Sequence, residues 1–163
     1  MGRSLGLCAK REFAYDAVNT LVTMSKNANN NKTILFVDDD PFMLISYGNR
    51  LQREGFHIES AEDGLEAMKV LSALVPDLVV LDLMLPKFDG MAVLKFIRTD
   101  PRLKRVPVIV LSAKSIIDAA EGSLLESANR RFLKAVCSFP TMLQAIQELL
   151  AEAPVAEDTL PTS

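Results

Sequence analysis

Five short strand-length segments, three of them almost wholly apolar, alternate with helical segments and constrain this chain more than any other feature. Residues 33–38, 56–61, 77–82, 106–111 and 131–135 have strand length. After them, Leu44, Tyr47 and Leu51 fall on one helical face, Ala67, Met68, Leu71 and Val75 on a second, and Met91, Leu94 and Ile97 on a third. A fourth helix is predicted around 116–128, and 140–152 closes the series with Met142, Ile146 and Leu149 on one face. Leu78-Val79-Val80-Leu81 and Val108-Ile109-Val110-Leu111 contain nothing polar, as strands buried on both faces require. Strands alternating with helices through short loops predict an α/β fold. It is a doubly wound, five-stranded parallel sheet with helices on both faces, three layers in all.

The outer parts of the chain do not share this pattern. Residues 25–32, Ser-Lys-Asn-Ala-Asn-Asn-Asn-Lys, cannot bury a face and read as a linker. The expected organisation is an N-terminal extension over 1–31, disordered or partly helical, one folded domain over 32–152, and a disordered tail over 153–163. Residues 1–32 carry five Lys/Arg against two acids, a net of +3; residues 33–163 carry thirteen against nineteen, a net of −6. An acidic body argues against a nucleic-acid groove. No apolar stretch reaches the roughly 18 residues of a membrane span, and the head lacks a signal-peptide core. Cys8 and Cys137 form neither a disulfide framework nor a CxxC site, so a cytoplasmic setting is expected.

The chemistry gathers at the carboxyl ends of the apolar runs, the edge where open α/β sheets bind ligands. Asp38-Asp39-Asp40 ends the first run and Asp82 the third; Ser112 follows the fourth and Lys134 follows Phe132-Leu133 in the last. Asp40, followed by Pro41, reads as a helix N-cap. Asp38 and Asp39 belong either to a solvated strand-to-helix loop or to an acidic site shared with Asp82. Converging carboxylates repel one another unless a cation sits among them, and oxygen donors suit a hard divalent ion. Together the four ends supply metal ligands, a carboxylate nucleophile, a hydroxyl and a cation, the groups needed to receive and neutralise a phosphoryl group.

With these residues in view, the chain resembles the receiver domain of two-component response regulators, of the stand-alone, chemotaxis-regulator type. The resemblance runs from about Lys32 to Glu152. It rests on Ile34-Leu35-Phe36-Val37-Asp38-Asp39-Asp40-Pro41, on Val79-Val80-Leu81-Asp82-Leu83-Met84-Leu85-Pro86 with Asp89-Gly90, on Leu111-Ser112-Ala113 and on Lys134. It implies a flavodoxin-like (βα)5 fold with strand order 2-1-3-4-5. It further implies that Asp82 is the phosphoacceptor, with Asp38, Asp39, Asp82 and the Met84 backbone carbonyl holding Mg²⁺ (or Mn²⁺). Ser112 would be the switch hydroxyl, and Lys134 would pair with the phosphoryl group. The implied partners are a sensor histidine kinase or histidine phosphotransfer protein, and a downstream protein on the face of the fourth helix, fifth strand and fifth helix. Neither nucleic acid nor membrane is implied, and the chain would be a monomer or a phosphorylation-dependent dimer.

Two positions depart from that family. Its lysine is usually followed by proline, often through a cis peptide, whereas Ala135 follows Lys134. A non-proline cis bond costs about 3 kcal/mol, so a trans bond and a differently aimed lysine are expected. Arg131 stands where the family usually has an aromatic, with Phe132 one place later. These departures favour a second reading, a receiver-like adaptor that binds partners without phosphorylation. A turnover enzyme is not expected: Met84 stands where a dehalogenase-type phosphatase needs a second aspartate, and no GxxxxGK or GxGxxG loop is present. His57 lacks a metal-ligand partner in sequence. Cys137 is expected to be a buried filler, and Gly64 and Gly90 turn glycines.

Overall fold

The central strands form where β-branched and large aliphatic residues run without interruption, and three of the described helices open on a capping aspartate. The structure, a computed structural model, describes residues 32–86, 89–112 and 122–152. The elements are β1 (Thr33–Val37), α1 (Pro41–Arg53), β2 (His57–Ala61), α2 (Gly64–Ala73), β3 (Leu78–Asp82), α3 (Gly90–Thr99), β4 (Val108–Ser112), α4 (Gly122–Leu125), β5 (Arg130–Leu133) and α5 (Phe139–Glu152). The sheet is parallel throughout, in the order β2-β1-β3-β4-β5. This is the doubly wound, flavodoxin-like architecture expected.

Alternation along the strands divides the core into two layers. Leu35, Val37, Val79, Leu81, Val108 and Val110 face one side, where they meet Ala67 and Leu71 of α2, Leu94 and Ile97 of α3, and Leu125 of α4. Ile34, Phe36, Leu78, Val80, Ile109 and Leu111 face the other, against Leu51 of α1 and Met142, Ile146 and Leu149 of α5. β3 and β4 are buried along their whole length. The edge strands β2 and β5 are buried only in part, and their sequences are correspondingly more polar. No described helix is long and apolar enough to cross a membrane.

Side-chain caps start the helices. Asp40 accepts the Phe42 N–H at 2.9 Å ahead of Pro41, as the sequence predicts. Asp63 accepts the Glu66 N–H, and the Glu66 carboxylate in turn accepts the Glu62 N–H. Asp89 accepts the Met91 N–H.

Several predicted boundaries shift. α2 ends at Ala73 because Leu74 turns extended, so Val75 leaves the apolar stripe and is exposed. β5 begins at Arg130, paired with Ile109, and ends at Leu133. Beyond it the chain curls, with the Val136 and Cys137 N–H groups both donating to the Leu133 carbonyl. Of the helix predicted over 116–128, only Gly122–Leu125 is helical among the described residues, and 113–121 lie outside them. The expectations for 1–31 and 153–163 also lie outside the described residues.

The amino ends of the strands are tied by polar side chains. Arg98 of α3 donates to the Ser127 carbonyl through Nε and Nη2, and to the Val106 carbonyl through Nη1 at 2.9 Å. Asn129 extends β4 sideways: its Oδ1 accepts the Val108 N–H, and its own N–H donates to the Val108 carbonyl. Asp77 accepts from both the Lys32 ammonium and the Thr33 N–H at 2.8 Å.

Candidate functional site

β1 and β3 are adjacent, with Val37 opposite Leu81, yet α1 and α3 leave them towards opposite faces of the sheet. A crevice opens where the connections diverge. Asp38 follows β1 into it and Asp82 is the last residue of β3. Both are buried, whereas Asp39 is exposed. One carboxylate oxygen from each of Asp38, Asp39 and Asp82 lies within 4.8 Å of the others. The sheet order therefore brings together residues more than forty positions apart in sequence.

Lys134 reaches this cluster from the end of β5. Its Nζ donates to Asp82 Oδ2 at 2.6 Å and to Asp38 Oδ1 at 2.8 Å. No cis peptide occurs among the described residues, so the Lys134–Ala135 bond is trans. Contrary to the expectation for a trans bond, Lys134 is aimed at both carboxylates. The backbone N–H of Lys134 continues the sheet ladder by donating to the Ser112 carbonyl at 2.8 Å, and the four-carbon stem spans the rest.

The remaining oxygens are served unevenly. Asp38 Oδ1 also accepts the Asp40 N–H, and Asp82 Oδ1 accepts the Met84 N–H, each at 2.9 Å. Asp38 Oδ2 is buried without any hydrogen-bond partner. Burial pushes the Asp38 carboxyl above its ordinary value; the nearby Asp82 charge adds to this, and Lys134 and the Asp40 N–H oppose it. Burial alone would lower Lys134, but its hydrogen bonds and charge attraction to Asp38 and Asp82 outweigh that and raise it. Three carboxylates thus face one ammonium, which leaves an excess of negative charge beside an unpartnered oxygen.

That arrangement fits a hard divalent cation. All the donors are oxygens, one buried oxygen lacks a partner, and an added positive charge would relieve the repulsion. Asp38, Asp39 and Asp82 are the side chains able to hold such an ion. Met84, half-exposed on the loop after Asp82, brings its backbone to the same rim.

Ser112 ends β4 opposite Leu133 and is nearly buried, at the same sheet edge. Asp40 is occupied as a cap, as predicted. Arg131 is exposed on β5, while Phe132 packs into the layer shared with α1 and α5. His57 pairs with Glu59 on the exposed edge strand. Cys137 is buried, and burial pushes its thiol up.

Gly90 matters more than a turn glycine would. A Cβ at this position would lie 2.5 Å from the Asp82 carbonyl oxygen and 2.6 Å from the Leu83 Cα. The first turn of α3 thus packs directly against the backbone that carries Asp82. The Asp89-Gly90 pair marked a turn in the sequence, but nothing there marked this approach.

The family profile of the response regulator receiver domain matches residues 34–147, and the chain belongs to that family. RpaA of Synechocystis sp., a DNA-binding dual master transcriptional regulator, is 35% identical over 118 residues, which are 72% of this chain and 48% of that protein. The polar-differentiation response regulator DivK of Brucella anthropi is 24% identical over 122 residues, 75% of this chain and 98% of that protein. Among solved structures, the Thermotoga maritima response regulator TrrA in complex with Mg²⁺-BeF is 32% identical with a TM-score of 0.62. That similarity covers 72% of this chain and 98% of TrrA. The chain spans about half or less of the length of the first curated relatives, RpaA and the Bacillus subtilis regulator PhoP.

Proposed function

We propose that this chain is a phosphoacceptor that takes a phosphoryl group onto Asp82 from the phosphohistidine of a sensor histidine kinase or phosphotransfer protein. The observation that carries the reading is the Lys134 ammonium bridging the Asp82 and Asp38 carboxylates beside a buried, unpartnered Asp38 oxygen. An Asp82 carboxylate oxygen attacks phosphorus as the P–N bond breaks, and the electron pair leaves with the imidazole nitrogen. Lys134 then pairs with a phosphoryl oxygen in place of the carboxylate oxygen consumed, and the Ser112 hydroxyl donates to another. Mg²⁺ or Mn²⁺, held by Asp38, Asp39, Asp82 and the Met84 carbonyl, supplies charge neutralisation when bound. The complex of TrrA with Mg²⁺-BeF supports this assignment by similarity.

The transfer is stoichiometric, with only slow self-dephosphorylation afterwards, rather than the turnover of an enzyme. The readout is protein binding on the face of α4, β5 and α5, where Arg131 and Leu133 are exposed. The chain acts in the cytoplasm as a single-domain regulator, monomeric or dimerising on phosphorylation. DivK, 98% of whose length is matched by 75% of this chain, is a response regulator of receiver-domain size.

Incubation with acetyl phosphate and Mg²⁺ followed by intact-mass measurement tests the assignment. Wild type gains one phosphoryl group, and Asp82→Ala gains none. Equal gain in both proteins, or no gain in either, favours the adaptor that binds without phosphorylation.

A further inference from the structure

The turn that carries Lys134 is closed by the Val136 and Cys137 N–H groups donating to the Leu133 carbonyl, but no residue within it restricts the backbone torsions. Ala135 and Val136 follow the lysine, and both face solvent, Val136 with 77% of its surface exposed. Neither restricts the backbone as proline does. Yet the flexible Lys134 side chain meets two carboxylates at once, and this requires its backbone to be held in place.

The Tyr47 hydroxyl reaches the turn from outside. It donates to the Cys137 carbonyl oxygen at 3.3 Å, across 90 residues of sequence. The Tyr47 ring lies between Phe36 of β1, 6.2 Å away between centroids, and Phe139 of α5, 5.6 Å away and edge-on. The Arg50 guanidinium covers the Phe139 ring at 3.7 Å. Phe36 lies two residues before Asp38, so one aromatic stack links the strand leading to Asp38 with the turn holding Lys134.

We propose that Tyr47 is a positioning residue. Its hydroxyl, fixed by the aromatic stack, pins the Cys137 carbonyl and keeps the 134–137 turn where Lys134 spans Asp38 and Asp82. The effect on lysine placement stands on geometry alone, and the effect on chemistry rests on the phosphoacceptor reading.

Tyr47→Phe keeps the ring and removes the hydroxyl. The first measurement is the rate at which Lys134 of the metal-free full chain is acetylated by an N-hydroxysuccinimide ester, read by peptide mass spectrometry. The exposed Lys95 and Lys104 serve as internal references. In wild type Lys134 reacts far more slowly than either. In Tyr47→Phe it reacts about fivefold faster, the factor that one neutral hydrogen bond contributes, while Lys95 and Lys104 are unchanged. Arg50→Met thins the stack but keeps the hydroxyl, and leaves the Lys134 rate near wild type. An unchanged Lys134 rate in Tyr47→Phe, or an equal rise in Arg50→Met, overturns the proposal.

The second measurement is the rate of Asp82 phosphorylation by acetyl phosphate alongside the Mg²⁺ dissociation constant. Tyr47→Phe slows phosphorylation about fivefold without weakening Mg²⁺ binding, and the slowing disappears in a Lys134→Gln background. A parallel loss of Mg²⁺ affinity, or the same slowing with Lys134 replaced, identifies general damage and overturns the role. If wild type takes up no phosphoryl group, the phosphoacceptor reading fails, and acetylation still decides whether Tyr47 positions Lys134.

Discussion

At the amino end of the sheet, half-buried Arg98 donates to the carbonyls of Ser127 and Val106, and Asn129 exchanges two hydrogen bonds with Val108. At the carboxyl end, Asp38 and Asp82 share one lysine, and an Asp38 oxygen is left without a partner. Both ends place charge in or near the core. At the amino end the donors meet fixed acceptors, so the groups contribute stability. At the carboxyl end negative charge is in excess, and burial holds the Asp38 carboxyl above its ordinary value. An incompletely satisfied network lowers stability in the free protein and favours whatever cation or phosphoryl group completes it.

The largest expected effect breaks the amino end. Arg98→Ala removes a charged donor from the Ser127 and Val106 carbonyls and lowers unfolding free energy by about 3 kcal/mol. Urea denaturation measures this, and the Mg²⁺ dissociation constant of the folded protein stays unchanged. A matching loss of Mg²⁺ affinity would show that the two ends are not independent.

Gly90→Ala acts at the boundary between packing and site. Its new methyl group meets backbone rather than a flexible side chain, so the cost is about 2 kcal/mol. Because the Asp82-Leu83 backbone must yield, Mg²⁺ affinity also falls. Isothermal titration separates this variant from Arg98→Ala, which lowers stability alone.

The carboxyl end gives effects of the opposite sign. With Asp38 raised above the ordinary carboxyl value by burial, its charged form disfavours folding as pH rises through that titration; below the ordinary value the effect vanishes. Asp38→Asn therefore unfolds at higher urea than wild type at pH 7 without metal, and the difference disappears near pH 3. Adding Mg²⁺ at ten times its dissociation constant stabilises wild type by about 1.4 kcal/mol, and chelation reverses it. Asp38→Asn gains little from the metal, because one of its oxygen charges is gone.

The smallest effect lies between the two ends. Arg131→Ala on the exposed strand β5 changes stability by less than about 0.5 kcal/mol. A larger loss in thermal unfolding would place Arg131 within the fold rather than on a partner-facing surface.

Much of this was legible in the chain because the relevant signals are local. The apolar runs of β3 and β4 predicted strands buried on both sides, and Asp40-Pro41 predicted its cap. Val75 misled because apolar spacing continues past the point where Leu74 turns extended. β5 ends at Leu133, two residues before the end the sequence predicts, because the chain curls there onto the Leu133 carbonyl, a turn that residue type alone does not mark. Gly90 was recognised as a turn residue, but its contact with Asp82 depends on how α3 meets β3.

By itself the sequence determined the alternation of strands and helices, and which chemical groups stand at the strand ends, because periodicity and residue type are properties of neighbours along the chain. Tertiary structure decided what those groups do to one another. The adjacency of β1 and β3 made one acidic cluster from Asp38, Asp39 and Asp82. The curled end of β5 brought Lys134 onto two of those carboxylates through a trans peptide, with Tyr47 against the turn. Distances between residues so far apart in sequence arise only when the sheet is assembled, and the electrostatics of the site follow from those distances.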